Sequence, residues 1–333
     1  MAQKSKLALP IVLVLLAAFA AAGVYGVMQL ARTTPNDAKA STTAAPTTLS
    51  ASARAMQEAD ALIAAQKPEE AATVLTRAVE ADSRNQDLRV ALGRAFIGQK
   101  KFAAALEQYE AAIKLGFDSP EFRMEVGTVA NSAGKPDVAA THYGVASSKR
   151  PDDYQAAFYL ASMQSKLNRL TDAKVSLLRV VKLNPNLAEA WGLLADVELR
   201  DGNPGIALQH IAKARAIQPD ALMWRIVEAR ALKRANKPAE AEAVLVGLAW
   251  EDQRKPEVLT LLCESLGMQG KAADAAAIST RAATDEPKNA ELQYQAALWC
   301  QRAGDNAAAK KFAKAASDLN HPGAKDLLAA IGE

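Results

Sequence analysis

The strongest constraint on this 333-residue chain is an internal period of 34 residues. A register begun at Ser52 steps to Gln86, Pro120, Tyr154, Ala188, Leu222, Pro256 and Ala290, with no insertion or deletion across eight units. The twentieth position of the register is alanine throughout: Ala71, Ala105, Ala139, Ala173, Ala207, Ala241, Ala275 and Ala309. The eighth position is always small (Ala59, Gly93, Gly127, Ala161, Ala195, Ala229, Cys263, Ala297), and the twenty-seventh is alanine except for Val180 and Leu248. Self-similarity at this period specifies a stacked-repeat architecture.

Proline places the helices. Pro68, Pro136, Pro204 and Pro238 stand at position 17, and Pro151, Pro185, Pro219 and Pro287 at position 32. Proline suits the first turn of a helix and breaks its interior, so each unit reads as two helices, one on either side of position 16. Gly134, Gly202, Gly270 and Gly304 at position 15 supply the turn between them. The apolar spacing agrees, as in Leu88, Leu92 and Phe96 followed by Phe102, Leu106, Tyr109 and Ile113. Two antiparallel helices in close contact need small side chains where they cross, and a leucine at position 20 is expected to cost about 1–3 kcal/mol. The fold class is all-α.

These residues resemble the tetratricopeptide repeat, which has the same period, small residues at positions 8, 20 and 27 and proline at 32. Trp191, Leu194, Ala195, Ala207, Ile211, Ala214 and Pro219 follow the pattern most fully. The resemblance implies a right-handed superhelical solenoid of eight repeats over residues 52–321. It departs from the pattern at Arg89, Arg123 and Arg225 (position 4), at Glu58 and Glu228 (position 7), and at Ser279 and Ala313 (position 24). In residues 322–333, Ala324, Leu327, Leu328 and Ile331 are spaced for a helix that caps the open end.

The N-terminus carries a second signal. Leu7 to Met28 is a run of 22 residues without a charge, and about 20 apolar residues span a hydrocarbon core of roughly 30 Å. Residues 7–30 are therefore expected to form a single transmembrane anchor. Lys4 and Lys6 keep residues 1–6 cytoplasmic and send the rest across the membrane. The rival reading is a cleaved signal peptide, but secretory apolar cores are usually about 7–15 residues long. Ala18, Ala22 and Gly26 recur every four residues, a spacing that lets two such helices pack as a homodimer. Residues 31–51, rich in Thr, Ala, Ser and Pro, read as a flexible linker.

Chemistry is scarce by comparison. Cys263 and Cys300 are too few for a structural zinc site, and as neighbouring first-helix residues they are expected to lie too far apart for a disulfide. His142, His210 and His321 fall in three different repeats and read as surface or groove-edge residues, with no metal or other cofactor implied. Gly267–Lys271 lacks the spacing of a phosphate loop and lies at an inter-helix turn. No acid, base or nucleophile cluster argues for an enzyme. Of the 40 basic and 37 acidic residues, residues 1–51 hold four and one. The repeats are thus balanced, with nothing to steer a nucleic acid toward them.

The resemblance implies that first helices line a concave groove, largely through positions 2, 5, 9, 12 and 13. Candidate partner-binding residues are then Arg94, Asn131, Phe158, Ser162, Asp196, Arg200, Arg230, Lys233, Arg234 and Tyr294, with a basic stretch around Arg200, Arg230, Lys233 and Arg234. Met56 and Asp60 in the first repeat do not fit the clamp that chaperone-docking members use for a terminal carboxylate. The function expected is a scaffold or adaptor in a bacterial inner membrane, its repeats in the periplasm. It would hold a protein or peptide partner of an envelope complex such as those for cytochrome maturation, pilus assembly or polysaccharide export. A targeting receptor on an organelle's outer membrane, with cytosolic repeats, and a self-assembling structural subunit are the alternatives. On this reading Arg230→Glu with Lys233→Glu weakens partner capture in a pull-down and leaves the melting temperature nearly unchanged.

Overall fold

The computed structural model describes residues 49–332. The expected anchor at 7–30, its Ala18, Ala22 and Gly26 stripe, residues 1–6 and all but the end of the linker at 31–51 lie outside the described residues. Among the described residues every regular element is helical, and no helix is long and apolar enough to cross a membrane. The chain divides into two compact units after Pro185.

The first unit consists of helix pairs: α1 (Ala51–Ala64) with α2 (Pro68–Ala81), α3 (Gln86–Gly98) with α4 (Phe102–Lys114), α5 (Pro120–Ser132) with α6 (Pro136–Lys149), and α7 (Tyr154–Lys166) with α8 (Leu170–Leu183). Each first helix here has a side-chain cap: Ser50, Asn85, Ser119 and Asp153 accept backbone N–H bonds from the opening turn, which an alanine in their place would forfeit at about 1 kcal/mol each. The core passes from Leu75, Leu88 and Leu92 to Tyr109, Phe122, Val126 and Tyr143. Phe122 meets Tyr109 and Phe117 at centroid distances of 4.9 and 4.7 Å.

The second unit repeats the plan with α9 (Ala188–Arg200) and α10 (Pro204–Ile217), α11 (Leu222–Arg234) and α12 (Pro238–Val246), α14 (Pro256–Met268) and α15 (Ala272–Asp285), and α16 (Ala290–Arg302) and α17 (Asn306–Asp318). A final helix, α18 (Ala324–Ile331), packs Leu327 against Ala297 and Ala313. One second helix departs from the two-helix plan. It stops at Val246 after nine residues, and a four-residue turn of helix, α13 (Trp250–Gln253), follows. Gly247 ends it, and Leu248 stands at position 27, where most units carry a buried alanine. The Gln253 side-chain amide donates to the carbonyls of Val246 (2.9 Å) and Leu248 (2.7 Å), so the freed acceptors are satisfied. Trp250 is held from α15, donating to Asp285 Oδ2 at 2.7 Å beneath Arg281.

The small positions have a steric cause. All eight position-20 alanines are fully buried. At Gly93 an added Cβ would fall 2.3 Å from the ring of Tyr109, and at Gly127 2.6 Å from that of Tyr143. Tyr109 and Tyr143 stand sixteen residues on, at position 24. Where position 24 is Leu or Ile (Leu75, Leu177, Ile211, Leu245), position 8 is alanine.

Every turn within a helix pair is built alike. The position-15 residue is left-handed in each: Gln66, Lys100, Gly134, Asn168, Gly202, Asn236, Gly270 and Gly304 all have φ between +58° and +84°. The next N–H bonds back five residues, as in Lys67 to Leu62 and Asn203 to Glu198, both at 2.9 Å, closing a Schellman motif. Glycine adopts this conformation without a side-chain penalty, whereas Gln66 and Lys100 do not. Gln66→Gly and Lys100→Gly are each expected to add about 0.5 kcal/mol to stability, and Gly202→Ala, whose Cβ would meet nothing within 4 Å, to remove about 1 kcal/mol through the backbone alone. Urea unfolding read by circular dichroism checks both directions.

Candidate protein-binding face

The candidate residues lie on the first helices of the pairs, and in each unit side chains reach from one first helix to the next. In the first unit Arg94 reaches from α3 to Glu125 on α5, with Nη2 3.4 Å from Oε2. Glu125 also accepts the Tyr109 hydroxyl, whose pKa is held well above the ordinary tyrosine value by burial and by that carboxylate. Asn131 on α5 accepts from Lys166 Nζ on α7 at 3.1 Å. Phe158 and Ser162 do not present themselves to a partner as expected. Both are buried, and the Ser162 hydroxyl donates to the Phe158 carbonyl at 2.9 Å.

The second unit holds the charged group that the sequence placed together, but its character differs from a bare basic stretch. Arg230 Nη2 donates to Glu257 Oε1 at 2.5 Å, and Lys233 pairs with Glu264. Both glutamates come from α14. Arg234 donates to the Leu199 carbonyl, and Arg200 lies 3.8 Å from Asp196 Oδ2. Asp196 is buried and its Oδ2 has no hydrogen-bond partner. Burial pushes its pKa up, against the pull of Arg200, Arg230 and Arg234. Four cations therefore share the face with three carboxylates. Arg230→Glu with Lys233→Glu would set like charges against Glu257 and Glu264 and lower the melting temperature, so the expectation of an unchanged one is corrected.

Tyr294 is half-buried. Its ring stacks on His321 at 4.1 Å, and a Cβ at Gly323 would fall 3.1 Å from its hydroxyl. His321 in turn lies 3.1 Å from Glu291. The segment leading into α18 thus occupies the place where an exposed aromatic was expected.

Sequence reasoning found the cations and missed their partners. A signal was present: Glu125 lies 31 residues after Arg94, Glu264 31 after Lys233, and Glu257 27 after Arg230. These separations are one repeat less one or two helical turns, which puts acid and base side by side on neighbouring first helices. Among the described residues no three side chains of His, Cys, Asp or Glu gather as a metal site. Cys263 and Cys300 are unbridged and buried, and burial lifts the Cys263 thiol to about 12.

The tetratricopeptide repeat model matches residues 56–120 and 164–221. A tetratricopeptide repeat protein from Parabacteroides merdae superposes with a TM-score of 0.57 at 19% identity, over 74% of this chain and 99% of that one. Together they support a tetratricopeptide-repeat protein. Protein FlbA of Caulobacter vibrioides is 31% identical over 122 residues, which are 36% of this chain and 20% of FlbA. The chain thus spans about a fifth of that relative's length. YrrB, described as a TPR protein with an unusual peptide-binding site, is 22% identical with a TM-score of 0.47, over 51% of this chain and 88% of that one. Tetratricopeptide-repeat proteins act as protein-binding scaffolds, and the fold is typically non-catalytic.

The histidines differ from expectation at one place. His142 is buried, its Nδ1 3.1 Å from Arg123 Nη1, while Arg123 also donates to Asp118 at 2.6 Å. Burial, helped by Arg123, lowers the His142 pKa from 6.5 to about 4. The unfolded chain therefore binds more protons between those values, and the stability gained by burying neutral His142 is present above pH 6.5 and lost as pH falls toward 4. The Asp118 carboxyl is held lower still by Arg123 and Lys149, so its contribution is lost only in stronger acid. Thermal melts should show His142→Gln losing less than wild type between pH 6.5 and 4, by about 2–5 °C.

Proposed function

We propose that this chain is a non-enzymatic, membrane-anchored scaffold that holds a protein partner on the first helices of its repeats. The row of charged and polar first-helix side chains carries the reading: Arg94 and Asn131 in one unit, and Arg200, Arg230, Lys233 and Arg234 in the other. The uncharged run from Leu7 to Met28 supports an anchor, and Lys4 and Lys6 support a cytoplasmic N-terminus with the repeats in the periplasm. The bacterial source of FlbA agrees with a bacterial envelope. The partner would be a component of an envelope complex, with the bilayer engaged by residues 7–30 and self-association possible through Ala18, Ala22 and Gly26.

Site-specific crosslinking of the full chain in native membranes tests this. A photo-crosslinking residue at Arg94 or Arg200 should capture a discrete protein, and one at the exposed Lys213 on α10 should not. Capture only through Lys213, or only of the chain itself, would move the binding face elsewhere. Because Cys263 and Cys300 are buried, Lys213→Cys can be labelled selectively. Labelling by an impermeant maleimide before lysis is expected for a periplasmic domain, and labelling only after lysis would reverse the topology.

A further inference from the structure

The charges on the second unit's first helices are layered. Arg230 and Lys233 have side chains 17% and 25% exposed, while their partners Glu257 and Glu264 are 38% and 40% exposed. The carboxylates are the outer layer and the cations the inner one. Beneath them Asp196 is only 5% exposed, and its Oδ2 accepts no hydrogen bond. With the two glutamates turned aside, Arg230 and Lys233 lose their outer partners, above a buried carboxylate that Arg200, Arg230 and Arg234 attract. The glutamates stand at the solvent side of both pairs, so a carboxylate from outside can exchange for one the chain supplies.

We propose that this face binds an acidic protein segment, and that Glu257 and Glu264 are built-in stand-ins for its carboxylates, displaced when it docks. The inference rests on the first-helix binding face described above and adds the chemistry of its partner. Charge complementarity selects acidic side chains. The guanidinium groups of Arg200, Arg230 and Arg234 suit carboxylates that engage two N–H donors at once. A short carboxylate-bearing segment matches this local cluster of cations, with Asp196 Oδ2 buried beneath them and out of a ligand's reach. The even balance of 36 basic and 36 acidic residues beyond residue 51 likewise gives a polyanion no extended track to follow.

The test uses the full-length chain and a fluorescently labelled hexaglutamate peptide, read by anisotropy. Glu257→Gln with Glu264→Gln should tighten binding about three- to tenfold, because the internal competitors are gone. Glu240→Gln with Glu251→Gln makes the same change in net charge on α12 and α13 and should tighten it less than twofold. Arg230→Gln with Arg234→Gln should weaken it at least tenfold, with melting curves confirming that each variant is folded. Equal tightening by the two glutamate pairs, or none by Glu257→Gln with Glu264→Gln, overturns the proposal. Stronger binding of a labelled hexathymidylate than of the peptide overturns the choice of a protein ligand. If crosslinking from Arg200 persists while the peptide result is negative, only this inference falls; loss of that capture removes the binding face itself.

Discussion

The turn inside each helix pair is the constraint on which the rest depends. One left-handed residue at position 15, from Gln66 through Gly304, reverses the chain within three residues, and the N–H that follows it closes on the carbonyl five residues back. This fixes the antiparallel approach of the two helices and lets proline open the second at its first residue, as at Pro68, Pro136, Pro204 and Pro238. Only then do positions 8 and 20 meet across the pair, and only small residues fit there. The turn determines the spacing of the pair, and the spacing determines which residues the core accepts.

The row of first helices does two things with one set of side chains. Within each unit, Arg94, Lys166, Arg230, Lys233 and Arg234 tie first helices to their neighbours. The same groups are those a partner would contact. A ligand on this face therefore competes with the joints between repeats, and substitutions there alter stiffness and recognition together. Neutral replacements separate the two effects better than charge reversals, which add repulsion across the joint.

Much of the fold was legible because it is periodic. The all-helical class and the tetratricopeptide character follow from alanine at position 20 and proline at 17 and 32, where local sterics leave little choice. The interrupted helix at Val246 was less legible, since Gly247 and Leu248 sit in a unit that keeps the full 34 residues. The candidate face was legible in its cations and not in its carboxylates. Pairing between Arg230 and Glu257 depends on how adjacent helices align, which a register counted along one repeat does not display. The burial of Phe158, Asp196 and His142 was hidden for the same reason: position within a repeat identifies a helix face but not what lies against it.

The paired glycine and tyrosine at Gly93 and Tyr109 make the order of evolutionary change matter. In four other repeats the same two places hold alanine with leucine or isoleucine. A lineage passing between these states by single steps has two routes. Gaining the methyl first drives it into the aromatic ring, at 2.3 Å. Losing the ring first leaves a void, which costs stability but collides with nothing. Descent between the two kinds of repeat is therefore expected to run through the void, and intermediates in related sequences should carry the small residue at both places rather than the large one.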